Sequence, residues 1–247
     1  MFMIPKIIHY CWFGRNPIPA EYQRYIESWK KFLPDYEIKE WNEDNFDVNI
    51  IPFTKEAYGV KKYAYVSDYA RLKILYDNGG VYFDTDVEVI RNMDDIIVSG
   101  AWMAVEKHAS TPIAEDQVAV GLGFAVEPHN SIIKEVMEYY ENTHYIFPDG
   151  NMEQIPIVPI VTKVLRKQGM PAYIDKPTKV GGITIYPWDY FCPIEFMSSK
   201  IELTDHTYTI HHYSATWMSL SDKLKMKKGH FFNSNKVGRF IKSLIRK

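Results

Sequence analysis

The chain has 247 residues, of which 46% are hydrophobic and 15% aromatic, and its formal net charge is −2. This length and composition fit one α/β domain with insertions and can fill a substantial core. Two cysteines cannot form a disulfide framework, and no apolar run approaches the roughly 20 residues of a membrane span. The start of the chain, interrupted by Pro5 and Lys6, lacks the pattern of a secretory signal, so we expect a soluble, cytoplasmic protein.

The first sixty residues alternate between predicted strands and helices. Residues 4–14 read as a strand that runs into a glycine turn, and residues 19–32 form an amphipathic helix. Residues 36–41 alternate as a half-exposed second strand, and residues 51–63 lead through a short helix into the next segment. This β-α-β-α-β order is typical of the nucleotide-binding half of an open α/β sheet.

The central segment, YVSDYARLKILYDNGGVYFDTDVEV, begins at Tyr65 and is the most informative part of the chain. Ser67 is the predicted N-cap of a helix, and the Asn-Gly-Gly sequence at 78–80 predicts a left-handed C-cap. The apolar run that follows is too short for a helix and predicts a buried strand. This strand delivers Asp84 and Asp86 to its carboxyl end, where α/β sheets bind ligands.

The two aspartates are candidate metal ligands. On an extended segment, residues i and i+2 share one face and lie roughly 7 Å apart at Cα. Hard oxygen donors of this kind suit Mg²⁺ or Mn²⁺, which proteins usually share with a phosphate group. We predict that Asp86 binds the metal directly, and that Asp84 contacts it through water or holds a ligand hydroxyl. The alternative, two solvated aspartates in a turn, is disfavoured by the buried strand and the glycine stop.

The second half of the chain predicts further strands and helices around this site. Gly121 and Gly123 lie inside one predicted strand, where glycines often mark the close approach of a ligand or another backbone. The predicted strands cover residues 101–105, 118–127, 181–187 and 208–217, and the predicted helices cover residues 130–140 and 157–168.

The pattern S-D-x-x-R-x-x-x-L-x-x-x-G-G-V-Y-x-D-x-D resembles the signature of the DXD sugar transferases of glycosyltransferase family 32. This family includes capsular-polysaccharide transferases and fungal initiating mannosyltransferases, and the large glucosylating toxins carry a similar stretch. The opening I-P-K-I-I-H-x-x-W and the later H-H-Y-x-x-x-W extend the resemblance. It implies a single GT-A, Rossmann-like domain with a mixed central sheet. It also implies a retaining, metal-dependent transfer of a sugar from a nucleotide-sugar.

The resemblance also implies roles for individual residues. Tyr10 and Trp12 would take part in nucleotide binding, and Trp12 would stack on the base. Stacking of this kind contributes about 1–3 kcal/mol to the binding free energy. Around the donor sugar and its diphosphate it would place Asp68, Arg71, Tyr82, Ser214 and Trp217.

For the metal, the resemblance assigns His212 as the third ligand beside Asp84 and Asp86, with His211 as the runner-up. UDP-sugars are favoured as donors and GDP-mannose is the alternative. The acceptor would be a glycan or a lipid-linked glycan in surface polysaccharide synthesis, and no nucleic acid is expected. Four residues are candidates to meet the acceptor hydroxyl, and the sequence does not choose among them: Glu106, Asp116, Gln117 and Glu127.

Two other readings of the D-x-D remain. A phosphatase or phosphotransferase of the haloacid-dehalogenase type also carries D-x-D after an apolar strand. That signature has Thr or Val four residues after the first aspartate, whereas this chain has Glu88 at that position. A non-catalytic nucleotide-sugar-binding protein is the third reading, and the intact set of charged residues argues against it.

The end of the chain differs in charge from the rest. Residues 223–247 contain nine Lys or Arg and no Asp or Glu, so we predict a domain at 1–222 followed by a basic tail. Residues 236–247 place apolar side chains at helical spacing with cations between them, as in helices that lie in a membrane interface. The tail either holds the protein peripherally at the inner face of the membrane or packs on the domain, and the sequence leaves both open.

Overall fold

The computed structural model describes residues 3–107, 115–153, 155–195 and 200–214. Its strands are β1 (Ile7–Cys11), β2 (Glu37–Trp41), β3 (Gly80–Tyr82), β4 (Val87–Val89), β5 (Trp102–Ala104), β6 (Phe124–Val126), β7 (Thr178–Val180), β8 (Ile183–Tyr186) and β9 (Thr209–His211). Its helices are α1 (Ala20–Phe32), α2 (Pro52–Gly59), α3 (Tyr63–Asn78), α4 (Asp94–Val98), α5 (Ser131–Glu141), α6 (Ile157–Lys167) and α7 (Trp188–Phe191).

Seven strands form one mixed sheet in the order β2-β1-β3-β6-β5-β8-β7, while β4 and β9 pair separately. β1 is parallel to both β2 and β3, which confirms the predicted open α/β arrangement of this part of the chain. β6 runs antiparallel to β3 and to β5, so β3 and β5 point the same way. Val81 and Trp102 both pair with Ala125 and are therefore level. The carboxyl ends of β3 and β5 consequently meet at one edge of the sheet.

The helix α1 packs its predicted apolar face on the sheet and also covers an edge of β4. Tyr22, Tyr25, Ile26 and Trp29 are buried on that face. The Trp29 indole donates to the carbonyl of Val87 over 2.8 Å. Because these contacts occupy the free edge of β4, the short β4-β9 ribbon is fixed against the main domain.

The helix α3 carries the S-D-x-x-R sequence and is more deeply buried than an amphipathic surface helix. The prediction that Ser67 caps it is wrong, because α3 begins at Tyr63 and the Ser67 hydroxyl donates back to the Tyr63 carbonyl over 3.1 Å. The predicted C-terminal stop is confirmed. Gly79 has φ 65° and its N–H bonds to the carbonyl of Leu75, a backbone shape that glycine adopts without strain.

The predicted strand at 118–127 is shorter than expected. Residues Val120–Leu122 form a single 3-10 turn, and only the part after Gly123 continues as β6. The predicted helix at 130–140 is confirmed as α5, where the Asn130 side chain accepts the N–H groups of Ile132 and Ile133. Among the described residues, none of the helices is long and apolar enough to cross a membrane.

Candidate functional site

Asp84 and Asp86 lie in a tight turn between β3 and β4, not on an extended segment. The Val87 N–H bonds to the Asp84 carbonyl over 3.0 Å, which closes the turn. The two carboxylates nevertheless remain neighbours at the carboxyl end of β3, where the sequence predicts them. The turn also starts β4, whose partner β9 brings a second part of the chain to the same place.

Asp86 is held by the segment that follows β9. The register pairs Val87 with His211, so the His211 ring lies beside Asp86, with 3.1 Å from Nε2 to Oδ1. Tyr213 then adopts φ 49°, and after this bend the Ser214 N–H donates to Asp86 Oδ2 over 2.8 Å. Burial opposes ionisation of Asp86, but His211 and the Ser214 N–H outweigh it and lower the pKa to about 2. Asp86 is therefore a fixed negative charge.

Asp84 has different neighbours. Its Oδ1 accepts the Tyr82 hydroxyl over 3.1 Å, and its Oδ2 accepts Arg71 Nη1 over 3.3 Å. Burial raises the pKa of Asp84, and the negative charge of Asp86 raises it further, although Arg71 acts in the opposite direction. The two aspartates of the motif thus have pKa values that are moved in opposite directions by their surroundings.

Arg71 links Asp84 to Asp68 in the interior. Its side chain is 6% exposed, its Nη2 lies 3.1 Å from Asp68, and its Nε donates to the Ser67 carbonyl over 3.1 Å. The guanidinium also lies 4.9 Å from the centre of the Tyr82 ring. Burial raises the pKa of Asp68 to about 6 despite the charge of Arg71. The predicted donor-side pair is therefore a buried ion-pair cluster, and not a surface pair.

The two neighbouring histidines point in different directions. His211, the runner-up in the sequence interpretation, joins Asp84 and Asp86 in a group whose possible ligand atoms all lie within 4.8 Å of one another. His212, the first choice, instead stacks on Tyr25 at 4.4 Å and places its Nε2 2.9 Å from Glu88. Residues that alternate along a strand face opposite sides, so only one of the two can face the aspartates.

The Asp84–Asp86–His211 group fits a divalent cation. Two carboxylates and one imidazole are a donor set that Mn²⁺ and Mg²⁺ accept. His211 Nδ1 is buried and has no hydrogen-bond partner among the described residues. Burial lowers the pKa of His211, while Asp86 and then Asp84 raise it, with a net increase. This ring is thus held by the negative charge of the two aspartates.

The other predicted binding residues lie in different surroundings. The Trp12 ring is half-buried, packs edge-to-face on Tyr22 at 5.8 Å, and donates from Nε1 to the Asn16 carbonyl. Tyr10 is buried, and its hydroxyl donates to Glu40 over 2.7 Å. Trp217 and the basic tail lie outside the described residues.

The four acceptor-side candidates separate clearly. Asp116 accepts the Ile174 N–H, and Glu127 accepts from the Asn130 side chain, so both contribute to the scaffold. The backbone of Gln117 pairs with the N–H of Glu106. Glu106 follows β5, whose carboxyl end shares the sheet edge with β3. The negative charge of Glu106 raises the pKa of His211, but less than the two aspartates do.

The sequence analysis gave no specific role to two residues that the structure places at the site. Gly121 lies against the Asp84 carboxylate, and glycine inside a predicted strand was a signal for such an approach. Tyr213 packs edge-to-face on His211 at 4.2 Å, and its hydroxyl lies 3.0 Å from the Cys192 thiol. Tyr213 belongs to the H-H-Y-x-x-x-W sequence, but its contact with His211 depends on where β9 pairs.

Comparisons with known proteins agree with this geometry. Residues 19–102 match the family model described as "Glycosyltransferase sugar-binding region containing DXD motif". This part of the chain is therefore similar to DXD glycosyltransferases. The structure is similar to that of PaToxG Glycosyltransferase, with a TM-score of 0.51 and 20% identity over 67% of this chain and 70% of that one. The predicted GT-A fold with a mixed sheet is thereby confirmed.

Two curated relatives are similar to part of this chain. An uncharacterized glycosyltransferase of Acanthamoeba polyphaga mimivirus is 35% identical over 111 residues, which are 42% of this chain and 44% of the relative. Inositol phosphoceramide mannosyltransferase 3 of Schizosaccharomyces pombe is 34% identical over 104 residues, 40% of this chain and 29% of the relative. The chain thus matches less than half the length of either relative.

Proposed function

We propose that this protein is a metal-dependent, retaining glycosyltransferase that moves a sugar from a nucleotide-sugar to a glycan or lipid-linked glycan acceptor. The observation that carries the proposal is the group formed by Asp84, Asp86 and His211 at the carboxyl end of β3. Neither alternative reading, a haloacid-dehalogenase-like enzyme or a non-catalytic binding protein, accounts for this group together with a matching DXD glycosyltransferase region.

Each residue of the group has a distinct task in this proposal. Asp86 and His211 hold Mn²⁺ or Mg²⁺ directly, and Asp84 contacts the metal through water or binds the donor ribose. The bound metal supplies Lewis-acid stabilisation of the departing nucleoside diphosphate. The Arg71 guanidinium, fixed by Asp68 and Asp84, keeps positive charge at the donor side. In the retaining transfer that the sequence resemblance implies, the leaving phosphate would help to deprotonate the acceptor, a step that depends on positioning more than on a strong protein base.

The donor and acceptor are inferred more broadly. The sequence resemblance favours a UDP-sugar, whereas the name of the Schizosaccharomyces pombe relative supports GDP-mannose as the alternative. That name also supports a lipid-linked acceptor in addition to the capsular glycans suggested by the sequence. We propose that Ser214 and Trp217 contact the donor and that Trp12 stacks on its base, whereas Tyr82, which is 1% exposed, acts through its hydrogen bond to Asp84. Tyr10 contributes to the proposed nucleotide side through packing.

The test is nucleotide-sugar hydrolysis measured without an acceptor, using a panel of UDP- and GDP-sugars with and without Mn²⁺. We expect Mn²⁺-dependent release of the nucleoside diphosphate for at least one donor. Asp86→Asn and His211→Ala should abolish it, because each removes a metal ligand. His212→Ala is the matched control, since it removes a histidine from the same strand end but not from the metal group.

Three results would contradict the proposal or one of its residue roles. Release that does not depend on added metal in the chelator-treated protein would exclude the metal role. Equal activity of His211→Ala and the parent at limiting Mn²⁺, with loss of activity in His212→Ala, would return the third-ligand role to His212. Release of inorganic phosphate from phosphomonoesters instead of nucleoside diphosphate from nucleotide-sugars would favour the haloacid-dehalogenase alternative.

A further inference from the structure

Gly121 lies in the middle of the 3-10 turn formed by Val120–Leu122 and faces the Asp84 carboxylate. The Asp84 N–H points to the Gly121 carbonyl over 3.4 Å, so the two residues also approach through their backbones. A Cβ atom placed on Gly121 would overlap Asp84 Oδ2 and would lie 3.6 Å from Arg71 Nη1. The space in front of the carboxylate therefore exists because residue 121 has no side chain.

The backbone does not explain the glycine. Gly123, two residues later, has φ 115°, a conformation that other residues rarely adopt, but Gly121 lies outside that left-handed range. Alanine at 121 could thus keep the same backbone. The constraint at this position is the volume occupied by Asp84.

The turn cannot easily move away from an added methyl group. Val120 and Leu122, on either side of Gly121, are fully buried, and the turn is closed by the Leu122 N–H bonding to the Ala119 carbonyl. A close-packed interior resists such displacement. The Asp84 side chain is the part that would rotate, because its carboxylate is 28% exposed on the open side.

Rotation of Asp84 would separate it from both of its partners. Oδ1 accepts the Tyr82 hydroxyl and Oδ2 accepts Arg71, so a change of one torsion angle alters both contacts. It would also change the position of Asp84 relative to Asp86 and His211, which lie within 4.8 Å of it through their possible ligand atoms.

We propose that Gly121 is a positioning residue for the metal group: its missing side chain sets the rotamer in which Asp84 meets Arg71, Tyr82 and the cation. The predicted effect on metal binding rests on the proposed metal-dependent function. The contact between residue 121 and Asp84 does not. Gly121 acts through Asp84, and it does not itself need to touch the metal or the substrate.

The geometry can be tested without metal by a double-mutant cycle. The melting temperatures of the parent, Gly121→Ala, Asp84→Ala and the double variant are measured in the presence of a chelator. We expect Gly121→Ala to lower the melting temperature of the parent by several degrees, but to change that of Asp84→Ala by less than about 1 °C. Equal effects in both backgrounds would overturn the steric coupling.

The consequence for the metal is tested by Mn²⁺ binding, followed by electron paramagnetic resonance. Gly121→Ala should weaken binding about 10- to 100-fold, the range found when residues that orient metal ligands are changed. Gly59→Ala is the control, because a Cβ there meets nothing within 4 Å, and it should bind Mn²⁺ like the parent. In the hydrolysis assay, Gly121→Ala should need more Mn²⁺ for half-maximal rate while keeping most of its rate at saturation.

The two proposals fail in different ways. If the parent itself binds no Mn²⁺, the proposed function is wrong, while the double-mutant cycle still decides whether Gly121 positions Asp84. If the parent binds Mn²⁺ and Gly121→Ala binds it equally well, Gly121 has no positioning role for the metal, whatever its effect on stability.

Discussion

Replacing Arg71 with methionine should destabilise the protein by about 3 kcal/mol at pH 7. The substitution keeps an unbranched apolar side chain but removes the guanidinium that neutralises Asp68 and Asp84. Removing one partner of a buried ion pair leaves the other charge without compensation, which costs about 3–5 kcal/mol in known cases. Asp84 is 28% exposed and can rehydrate, whereas Asp68 is 12% exposed, so the lower end of that range applies.

The part of this destabilisation that comes from Asp68 follows from the pKa of its carboxyl group. With Arg71 present, burial raises this pKa from 3.8 to about 6, which already costs about 3 kcal/mol at pH 7. Without Arg71 the carboxyl takes up a proton, and this limits the cost to about 4 kcal/mol. Asp68 therefore accounts for about 1 kcal/mol of the loss. The contacts of Arg71 with Asp84 and the Ser67 carbonyl account for the rest, at about 1.5–3 kcal/mol for hydrogen bonds to charged groups.

The sign of the pH dependence follows from the same values. A group whose pKa is higher in the folded than in the unfolded protein favours folding most at pH values below the unfolded pKa. Its contribution to folding stability is lost as the pH rises through the folded pKa. At pH 5 Asp68 is protonated in the folded parent and in the folded variant. The stability difference between Arg71→Met and the parent should therefore narrow by about 1 kcal/mol between pH 7 and pH 5.

Urea denaturation of the metal-free proteins, followed by circular dichroism at both pH values, measures these differences. Arg24→Met is the control, because Arg24 is an exposed arginine on α1 and such surface changes stay within about 0.5 kcal/mol. A loss below about 1 kcal/mol for Arg71→Met, or a difference that widens at pH 5, would refute the reasoning.

Four further predictions concern other parts of the chain. Burial lowers the pKa of His9 from 6.5 to about 4, so unfolding free energy should fall by about 3 kcal/mol between pH 6.5 and pH 4; denaturation of His9→Gln should lack this slope, and an unchanged slope would assign it elsewhere. Trp12→Ala should weaken nucleoside-diphosphate binding by about 1–3 kcal/mol in calorimetry; unchanged binding would place Trp12 in the core. Glu106→Gln should raise the KM for methyl glycoside acceptors without changing donor hydrolysis, and parallel losses of both would assign Glu106 to the donor or metal side. Deleting residues 236–247 should abolish salt-sensitive sedimentation with anionic vesicles; if the full chain does not sediment and deletion lowers the melting temperature, the tail packs on the domain.

Local sequence signals were enough for the elements that carry the site. Gly79 ends α3 as predicted because its φ of 65° suits glycine, and the apolar run after it can only be a short strand. The predicted N-cap of α3, Ser67, lies five residues after the observed one, Lys62. Ser67 has the side chain of an N-cap, but a serine hydroxyl can equally bond back to the carbonyl four residues earlier inside a helix, as it does here with Tyr63.

The choice between His211 and His212 shows what a local reading cannot supply. Both precede an aromatic residue at the end of one strand, and strand alternation requires that they face opposite sides. Which side each one faces depends on the pairing of β9 with β4, where Val87 meets His211 across more than one hundred residues of sequence. A shift of that register by one residue would exchange the two histidines. The resemblance identified the pair, and the long-range pairing selects the member that meets the aspartates.

Long-range pairing also explains why the two aspartates differ in protonation. In the sequence they are equivalent carboxylates two residues apart, and nothing local assigns them different protonation behaviour. Asp86 is ionised because β9 and the bend at Tyr213 bring an imidazole and a backbone N–H to it, which lower its pKa. Asp84 lies over the buried Arg71 and beside Gly121, where burial raises its pKa and Arg71 counteracts that rise. A cation placed between them would therefore meet one carboxylate that is ionised beside His211 and a backbone N–H, and one whose charge is shared with the buried Arg71. On this argument Asp86 is the stronger ligand, and the strength of Asp84 is adjusted by how firmly Arg71 and the turn at Gly121 hold it.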